Sequence, residues 1–288
     1  MEDRVAIVTG CSSGIGEATA IAFARAGYRV FAGVRSPAAM ARVADTARGV
    51  RLRPIALDVT DRTQVREAAR TALEEAGHVD VLVNNAGYAL VGAISDLTDD
   101  LLRRQFDTNL FGHLALTREV VPAMRERRRG VIVNVSSLAG RVSVPLMGAY
   151  CATKFALEAM TMALRLELRP WNVHACLIEP GPVRTRFEQK AIEASREVLE
   201  NPASAYADAY ALTRQYFAHP MYGAASPEQV ARTILRAASA RRPRVRYTVR
   251  LRDAVVAAFS RFAYTRLGEP AMMRIMGLDG IRVSPPSA

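Results

Sequence analysis

Residues 5–16 read VAIVTGCSSGIG, and this stretch decides the fold. Its first four residues are apolar, as in a buried strand, and a helical pattern over residues 18–26 follows the glycine-rich turn. Glycines permit a tight turn and let backbone N–H groups approach a phosphate at the positive end of the helix. The alternative is a turn of the same shape that binds no ligand. The residues expected around the phosphates are Gly10, Ser12, Ser13, Gly14, Ile15 and Gly16.

Apolar runs alternate with helical patterns along most of the chain. Further strands are expected at residues 29–34, 52–57, 79–83, 131–135, 173–178 and 245–249, and helices at residues 61–76, 99–128 (interrupted near Pro122), 150–168 and 227–240. The alternation predicts an α/β fold with a single doubly wound parallel sheet of the Rossmann type, helices on both faces and a C-terminal helical extension. We expect one domain over residues 1–250, in which residues 187–225 cover the site, and an extension over residues 251–288.

Small or polar residues follow several of these strands directly. Because ligands bind at the carboxyl edge of such sheets, the residues after the strands are expected to form one site. They are Asn85, Ala86 and Gly87 after the fourth strand, Ser137 after the fifth, and Pro180 and Gly181 after the sixth.

Asn109 lies among apolar neighbours, Phe106, Leu110 and Phe111, in the helix expected at residues 99–128. A buried amide needs hydrogen-bond partners. Asn109 is therefore either a structural hydrogen-bonding residue or part of a polar relay.

Tyr150 and Lys154 lie four residues apart, a spacing that places both side chains on one face of a helix. A cation beside a phenol lowers the tyrosine pKa from about 10, which suits the pair to general acid or base catalysis. Lys154 and Lys190 are the only lysines among 39 cationic residues, and lysine and arginine are not interchangeable chemically. The alternative is a solvated pair that stabilises the helix by a few tenths of a kcal/mol.

The net charge of +11 comes from arginines spread along the chain without a nucleic-acid recognition motif, so no nucleic-acid partner is expected. No apolar run reaches the ~18 residues of a membrane span. Three cysteines and four scattered histidines show no pairing or metal spacing. This pattern predicts a cytoplasmic protein with reduced thiols and no metal site.

The end of the second strand, Gly33-Val34-Arg35, carries no carboxylate. An acidic residue near this place bonds the ribose 2′-hydroxyl in folds that prefer NAD. Arg35 would instead pair with a 2′-phosphate, which predicts NADP(H) in preference to NAD(H). The alternative is a solvated Arg35.

Taken together, these motifs resemble the short-chain dehydrogenase/reductase family over residues 4 to about 250. Residues 9–16, 85–87, 109, 137, 150–154 and 180–181 stand in the family's order and approximate spacing. Residues 11–13, 34–35 and 150–158 resemble the hydroxysteroid and retinol dehydrogenase branch. The resemblance implies an enzyme that interconverts a carbonyl and an alcohol by hydride exchange with a nicotinamide cofactor.

The resemblance also implies a role for each matching position. Tyr150 would exchange a proton with the substrate oxygen, and Ser137 would orient that oxygen. Lys154 would bind the nicotinamide ribose and lower the Tyr150 pKa, and Asn109 would hold a relay water. Further implied cofactor contacts are Asp58 and Val59 at adenine, Asn85, Ala86 and Gly87 at ribose, and Val183 and Thr185 at the carboxamide.

The loop between Ser137 and Tyr150 is apolar, and we expect it to line a pocket for a lipophilic substrate. The residues concerned are Val142, Val144, Leu146 and Met147, and ordinary loop packing is the alternative for each. Other functions considered are a reductase of carrier-bound 3-ketoacyl groups and a non-catalytic nucleotide-binding redox sensor. A homodimer or homotetramer is expected from the family. Residues 251–266 would form either a membrane-surface helix or, in preference, a segment packed on the pocket or on a partner subunit.

Overall fold

The computed structural model describes residues 3–46, 49–218, 223–259, 265–266, 268–275 and 278. Within these residues, seven strands form one sheet: β1 Arg4–Val8, β2 Tyr28–Val34, β3 Leu52–Ala56, β4 Val81–Asn84, β5 Gly130–Val135, β6 Val173–Glu179 and β7 Arg246–Thr248. The strand order is β3-β2-β1-β4-β5-β6-β7, and neighbouring strands are parallel. The predicted doubly wound parallel sheet is confirmed, with the order reversing between β1 and β4.

Helices connect the strands as the alternation predicted. In chain order they are α1 Gly14–Arg25, α2 Pro37–Thr46, α3 Arg62–Ala76, α4 Asp99–Phe106, α5 Gly112–Glu126, α6 Gly148–Glu167, α7 Phe187–Ala194, α8 Arg196–Leu199, α9 Ala207–Ala218, α10 Pro227–Ser239, α11 Leu251–Phe259 and α12 Gly268–Ile275. No helix of the described residues combines the length and the apolar character needed to cross a membrane.

Both faces of the sheet are buried, and β1 shows how. Ala6 and Val8 join an apolar cluster with residues of α1 and α10. Val5 and Ile7 join a second cluster with residues of α3 and α5. Because each strand packs on helices from both sides, the strands are near-continuous apolar runs, which is why they were visible in the sequence.

A third apolar cluster joins the segment after β4, the start of α6 and helices α7–α9. Residues 187–218 of the expected covering insertion therefore pack beside Tyr150, a member of the same cluster. Tyr210 anchors this segment: its buried hydroxyl donates to Asp96 at 2.6 Å and accepts from the Ala93 N–H at 3.0 Å. Tyr222, at the end of the expected insertion, lies outside the described residues.

The expected interruption near Pro122 is wrong. Pro122 lies inside α5, where burial of Val120, Val121 and Met124 holds the helix together despite the missing backbone N–H. The irregularity lies instead at Asp107–Phe111, a π-helical turn between α4 and α5 that carries Asn109. Single π-turns of this kind are frequent at functional sites.

Helix α2 was not among the predicted elements. The Ser36 hydroxyl accepts from the Ala39 N–H at 3.2 Å, and Pro37 occupies the first helical position. A serine cap followed by proline is a helix-start signal. With only 10 residues, however, α2 is too short for its apolar residues to show a clear helical period in the sequence.

The C-terminal extension begins with α11, which packs beside the turn after β6. The buried Asp253 carboxylate accepts from Arg250 at 2.9 Å, and a Cβ atom added to Gly181 would lie 2.6 Å from Asp253 Oδ1. Leu251 and Val255 remain exposed on this helix. Residues 260–264 of the segment expected at residues 251–266 lie outside the described residues, as do the chain's last residues.

Candidate active site

The glycine-rich turn after β1 is held against the turn after β4. Gly10 has a φ of +71°, and a Cβ atom there would lie 2.9 Å from the Ala86 Cα. A Cβ atom at Gly16 would clash with the Gly10 carbonyl oxygen. Glycine is therefore required at both positions, by conformation at Gly10 and by space at Gly16.

Helix α1 starts in this turn without a side-chain cap. Ser13 occupies the N-cap position in an extended conformation, and its hydroxyl makes no bond to the first turn of α1. The first N–H groups of a helix lack intrahelical partners and favour an anion. The turn is therefore suited to the phosphates of a dinucleotide, and the assignment of its residues to phosphate binding stays a prediction.

Asn84 and Asn85 perform different structural tasks. The Asn85 side chain donates to the Thr9 carbonyl oxygen at 2.9 Å, and the backbone N–H groups of Asn85 and Ala86 both donate to the Thr9 hydroxyl at 2.9 Å. Asn84 is buried and donates to Asn134 Oδ1 at 2.9 Å. The adjacent amides fix the two turns to each other and to the sheet, which explains a polar pair after a buried strand.

Asn109 is fully buried in the π-turn, where its amide holds the backbone after Gly87. The Tyr88 N–H donates to Asn109 Oδ1 at 3.1 Å, and Asn109 Nδ2 donates to the Tyr88 carbonyl oxygen at 2.8 Å. Nδ2 also donates to the Thr153 hydroxyl at 3.2 Å, beside Lys154. The amide therefore links the turn after β4 to α6, and both of its Nδ2 hydrogens are engaged.

Tyr150 and Lys154 share the buried face of α6. Lys154 Nζ donates to the Val135 carbonyl oxygen at 2.8 Å and lies 5.7 Å from the centre of the Tyr150 ring. Ser137 follows β5, and its hydroxyl accepts from the Ala139 N–H at 3.1 Å. The solvated surface pair considered as the alternative is wrong, because the two residues are 7% and 4% exposed.

Burial governs the acid–base properties of this pair. It raises the pKa of Tyr150, a shift that the Ser137 hydroxyl opposes. It lowers the pKa of Lys154 to about 8, a shift that the Glu158 carboxylate opposes. In the protein alone the Tyr150 pKa thus moves in the direction opposite to the expected one, because desolvation of the phenol dominates, and the Lys154 ammonium donates to a backbone carbonyl oxygen.

The remaining predicted cofactor residues lie around the same edge. Val59 is buried against Gly112, and the Asp58 carboxylate accepts from the Thr60 N–H at 2.9 Å. Thr185 approaches the glycine-rich turn, since a Cβ atom at Gly14 would lie 3.0 Å from its methyl group. Arg35 is exposed directly after β2. Elsewhere on the edge, Pro180 accepts a bond from the Leu138 N–H, and Val183 bridges to Ala225.

The expected substrate loop divides into packed and partly exposed residues. Leu146 is buried in the apolar cluster of Tyr150, and its carbonyl oxygen accepts from the Gly92 N–H at 2.7 Å. Met147 packs against the same cluster. Val142 and Val144 are partly exposed. Core packing accounts for Leu146, whereas the other three positions stay candidates for substrate contact.

Helix α7 contributes site residues that the sequence did not identify. The Phe187 ring meets the edge of the Tyr150 ring with centroids 5.7 Å apart. Lys190 Nζ donates to the Ser13 hydroxyl at 3.3 Å. The rarity of lysine marked Lys190 as unusual, but its contact with a turn 177 residues earlier depends on the fold.

A group of two buried carboxylates and two partly exposed arginines, here called the carboxylate cluster, was also missed. Arg246 Nε lies 2.9 Å from Glu158 Oε2 and 3.1 Å from Glu179 Oε1, and Arg141 lies 3.4 Å from Glu179 Oε1. Both carboxylates are almost fully buried. Burial first, and then Glu158, raises the pKa of Glu179 to about 7.

The fold and the site together define an NAD(P)-binding oxidoreductase: a cradle for phosphates lies beside a buried Tyr–Lys pair at one sheet edge. Residues 4–196 match the family described as short chain dehydrogenase. The chain belongs to this family, and the resemblance seen in the sequence is confirmed.

Curated relatives include enzymes of both kinds named by that resemblance. The chain is 36% identical to human 17-beta-hydroxysteroid dehydrogenase type 1 over 261 residues, which covers 86% of this chain and 77% of the relative. It is 36% identical to retinol dehydrogenase 8 of Bos taurus over 255 residues, which covers 84% and 80%.

Solved structures share the fold over most of the chain. A short-chain dehydrogenase/reductase from Burkholderia phymatum in complex with NAD has a TM-score of 0.79 and 28% identity, covering 100% of this chain and 99% of that one. A single-residue variant of actinorhodin polyketide ketoreductase with NADPH has a TM-score of 0.71 and 30% identity, covering 86% and 95%. The family thus makes this chain an alcohol or carbonyl oxidoreductase that binds NAD(P).

Proposed function

We propose that this oxidoreductase uses NADP(H) to interconvert a lipophilic ketone or aldehyde and the corresponding alcohol, with Tyr150 as general acid and base. The observation that carries the proposal is the meeting of Tyr150, Ser137 and Lys154 with the glycine-rich turn at one sheet edge. The cofactor, when bound, supplies or accepts the hydride.

In the reduction direction, the Tyr150 hydroxyl donates a proton to the carbonyl oxygen, and Ser137 orients that oxygen. Burial keeps Tyr150 protonated at neutral pH, which suits it to act first as an acid. Lys154 would bind the nicotinamide ribose, and its charge would stabilise the phenolate formed when the proton leaves. The Asn109 side chain links the turn at residues 85–88 to Thr153. Because both Nδ2 hydrogens are already donated to Tyr88 and Thr153, a relay water would have to donate to Asn109 Oδ1.

The preference for NADP(H) rests on charge at the end of β2. No carboxylate stands there to bond a ribose 2′-hydroxyl. The Arg42 guanidinium donates to the Ser12 carbonyl oxygen, which brings a cation to the glycine-rich turn near exposed Arg35. Because the two solved structures hold NAD and NADPH respectively, the proposal depends on these arginines.

The lipophilic substrate rests on the surroundings of Tyr150. Its apolar cluster includes Leu146, Ala149 and residues of α7–α9, with Met147 and Phe187 packed against it. A reacting oxygen at Tyr150 would place the rest of the substrate beside apolar side chains. A relative named as a hydroxysteroid dehydrogenase supports a substrate of this class.

A screen of NADPH oxidation with steroid, retinoid, quinone and aliphatic carbonyl compounds tests the proposal. Tyr150→Phe should lower kcat about 10²–10⁴-fold while leaving the Kd for NADPH unchanged, because the phenyl ring still packs but cannot donate a proton. Retained turnover in Tyr150→Phe would refute the acid–base assignment. No turnover by the wild type on any lipophilic carbonyl would refute the substrate class.

A second candidate is a reductase of carrier-bound 3-ketoacyl groups. The net charge of +11 would attract an acidic carrier protein, and the polyketide ketoreductase supports the same reaction type. The same ketoacyl group offered free and on a carrier protein distinguishes the candidates: a large gain in kcat/KM on the carrier favours the second. The redox-sensor alternative would predict a broken Ser–Tyr–Lys set, whereas this chain has all three residues.

The assembly is proposed to be a homodimer or homotetramer, with α6 at the interface. Phe155, Met162 and Leu166 of this helix are exposed apolar residues. Light scattering at several protein concentrations measures the subunit number, and a monomer would refute this part of the proposal. The one-domain organisation and the cytoplasmic location stay predictions.

A further inference from the structure

We infer that Lys190 of α7 binds a phosphate group of the nicotinamide cofactor and thereby ties the segment that covers Tyr150 to the bound cofactor. The inference deepens the proposed function and rests on its cofactor site. It assigns a role to the second of the chain's two lysines, which the catalytic scheme leaves unused.

The Lys190 ammonium lies at the glycine-rich turn. Its Nζ donates to the Ser13 hydroxyl at 3.3 Å. Ser13 is the N-cap residue of α1, and its side chain makes no bond to the first turn of that helix. The ammonium therefore lies at the positive end of α1, inside the cradle expected to hold phosphates.

Lys190 lies among other cations. Lys190 is partly buried, and its pKa is lowered by burial and then by Arg186, Arg35 and Arg42, whereas Glu193 raises it. These four cations, here called the cationic cluster, come from the end of β2, from α2 and from the start of α7. Gathering like charges is unfavourable, and a bound phosphate would relieve their repulsion and accept charge-assisted hydrogen bonds.

The first turn of α7 contacts Tyr150. Phe187 contacts the Tyr150 ring, and the partly buried Glu188 carboxylate acts electrostatically on the same phenol. Helix α7 thus touches the acid–base residue at its start and the phosphate cradle one turn later. A phosphate held by Lys190 would fix α7 over Tyr150 and exclude water from the reacting atoms.

The test measures cofactor binding by the full-length protein rather than turnover. Fluorescence titration gives the Kd for NADPH and for NADH in the wild type, Lys190→Met, Lys190→Arg and the control Arg196→Met. Arg196 lies on α8 with a 69% exposed side chain, so the control removes one cation from the same segment away from the cradle. Lys190→Met should raise the Kd about tenfold, Lys190→Arg less, and Arg196→Met less than about twofold.

The two cofactors identify the phosphate. Equal weakening of NADPH and NADH binding assigns Lys190 to the shared pyrophosphate, whereas weakening of NADPH alone assigns it to the 2′-phosphate. An unchanged Kd for both overturns the inference and leaves the proposed function standing. A wild type that binds neither cofactor overturns the proposed function itself.

A thermal melt without cofactor separates binding from mere structural bonding to Ser13. Lys190→Met should keep or raise the Tm, because it removes one charge from a group of cations. A lowered Tm together with a loss of affinity that Lys190→Arg does not restore would mean that Lys190 only supports the fold, and would overturn the inference. Limited proteolysis adds a second readout: NADPH should protect residues 187–218 in the wild type more than in Lys190→Met.

Discussion

The carboxylate cluster and the cationic cluster lie along the same edge of the sheet but balance their charges differently. In the carboxylate cluster, two buried acids face two arginines, and Arg246 contacts both Glu158 and Glu179. In the cationic cluster, Arg35, Arg42 and Arg186 all act on Lys190 with the same sign. The charges of the carboxylate cluster balance one another, so this cluster stabilises the fold. The cationic cluster carries charges of one sign, so it is suited to bind an anionic ligand.

The two clusters also connect different elements at this edge of the sheet. The carboxylate cluster joins α6, the helix that carries Tyr150 and Lys154, to β6 and β7. The cationic cluster joins β2, α2 and α7 around the turn after β1. Removing a charge should therefore affect the free energy of unfolding in the first cluster and ligand affinity in the second.

The largest effect is expected from Arg246→Met. The change leaves Glu158 and Glu179 buried beside each other without the cation they share, and breaking buried ion pairs in this way costs about 3–5 kcal/mol. Urea denaturation measures the loss. The control Arg103→Met breaks an exposed pair with Asp99 and should cost less than about 1 kcal/mol. Equal losses in the two variants would contradict the structural role of the carboxylate cluster.

The next effect is a pH dependence centred on Glu179. Its pKa is raised from 4.5 to about 7, so between these values the folded state binds more protons than the unfolded state. The free energy of unfolding contributed by this group therefore falls as pH rises through that window, by up to about 3 kcal/mol.

Glu179→Gln removes this titration. The difference in free energy of unfolding, variant minus wild type, should be more favourable to the variant at about pH 8 than at about pH 5. Urea midpoints of both proteins at the two pH values measure this difference. A difference between variant and wild type that is the same at both pH values would show that Glu179 does not titrate in this window.

The smallest effect is expected in the cationic cluster, from Arg35→Ala. Loss of one exposed guanidinium should weaken NADPH binding about tenfold and leave NADH binding unchanged, because only NADPH carries the 2′-phosphate. The free energy of unfolding should stay within about 0.5 kcal/mol of the wild type. Equal use of NADPH and NADH both before and after the change would refute the proposed cofactor preference.

Local patterns were enough to predict the sheet and much of the site. The glycines at 10 and 16, the turn at 85–87 and the Tyr150–Lys154 pair each lie within a short stretch whose spacing has a direct physical meaning. The strands were visible because burial on both faces makes them continuous apolar runs. Parallel topology then brought their carboxyl ends to one edge without further information.

Contacts between distant residues were beyond that reasoning. Lys190 meets Ser13, and Arg246 meets Glu158 across 88 residues, only because the chain folds back between them. The Tyr150 pKa depends on how completely the phenol is desolvated, which spacing alone does not reveal. The π-turn was not predicted because Pro122, a helix-breaking residue, drew the expected interruption to the wrong place. Tertiary packing keeps α5 helical at Pro122.

The π-turn at Asp107–Phe111 makes the segment from Asp99 to Glu126 sensitive to its length rather than to its composition. Each residue of a helix turns the chain by about 100°, so one residue added or removed between α4 and α5 rotates one half against the other. The Asn109 amide would then swing away from Tyr88 and Thr153, although every side chain of the segment were retained. The π-turn thus sets how far α5 is rotated about its axis relative to α4. The candidate active site depends on that rotation.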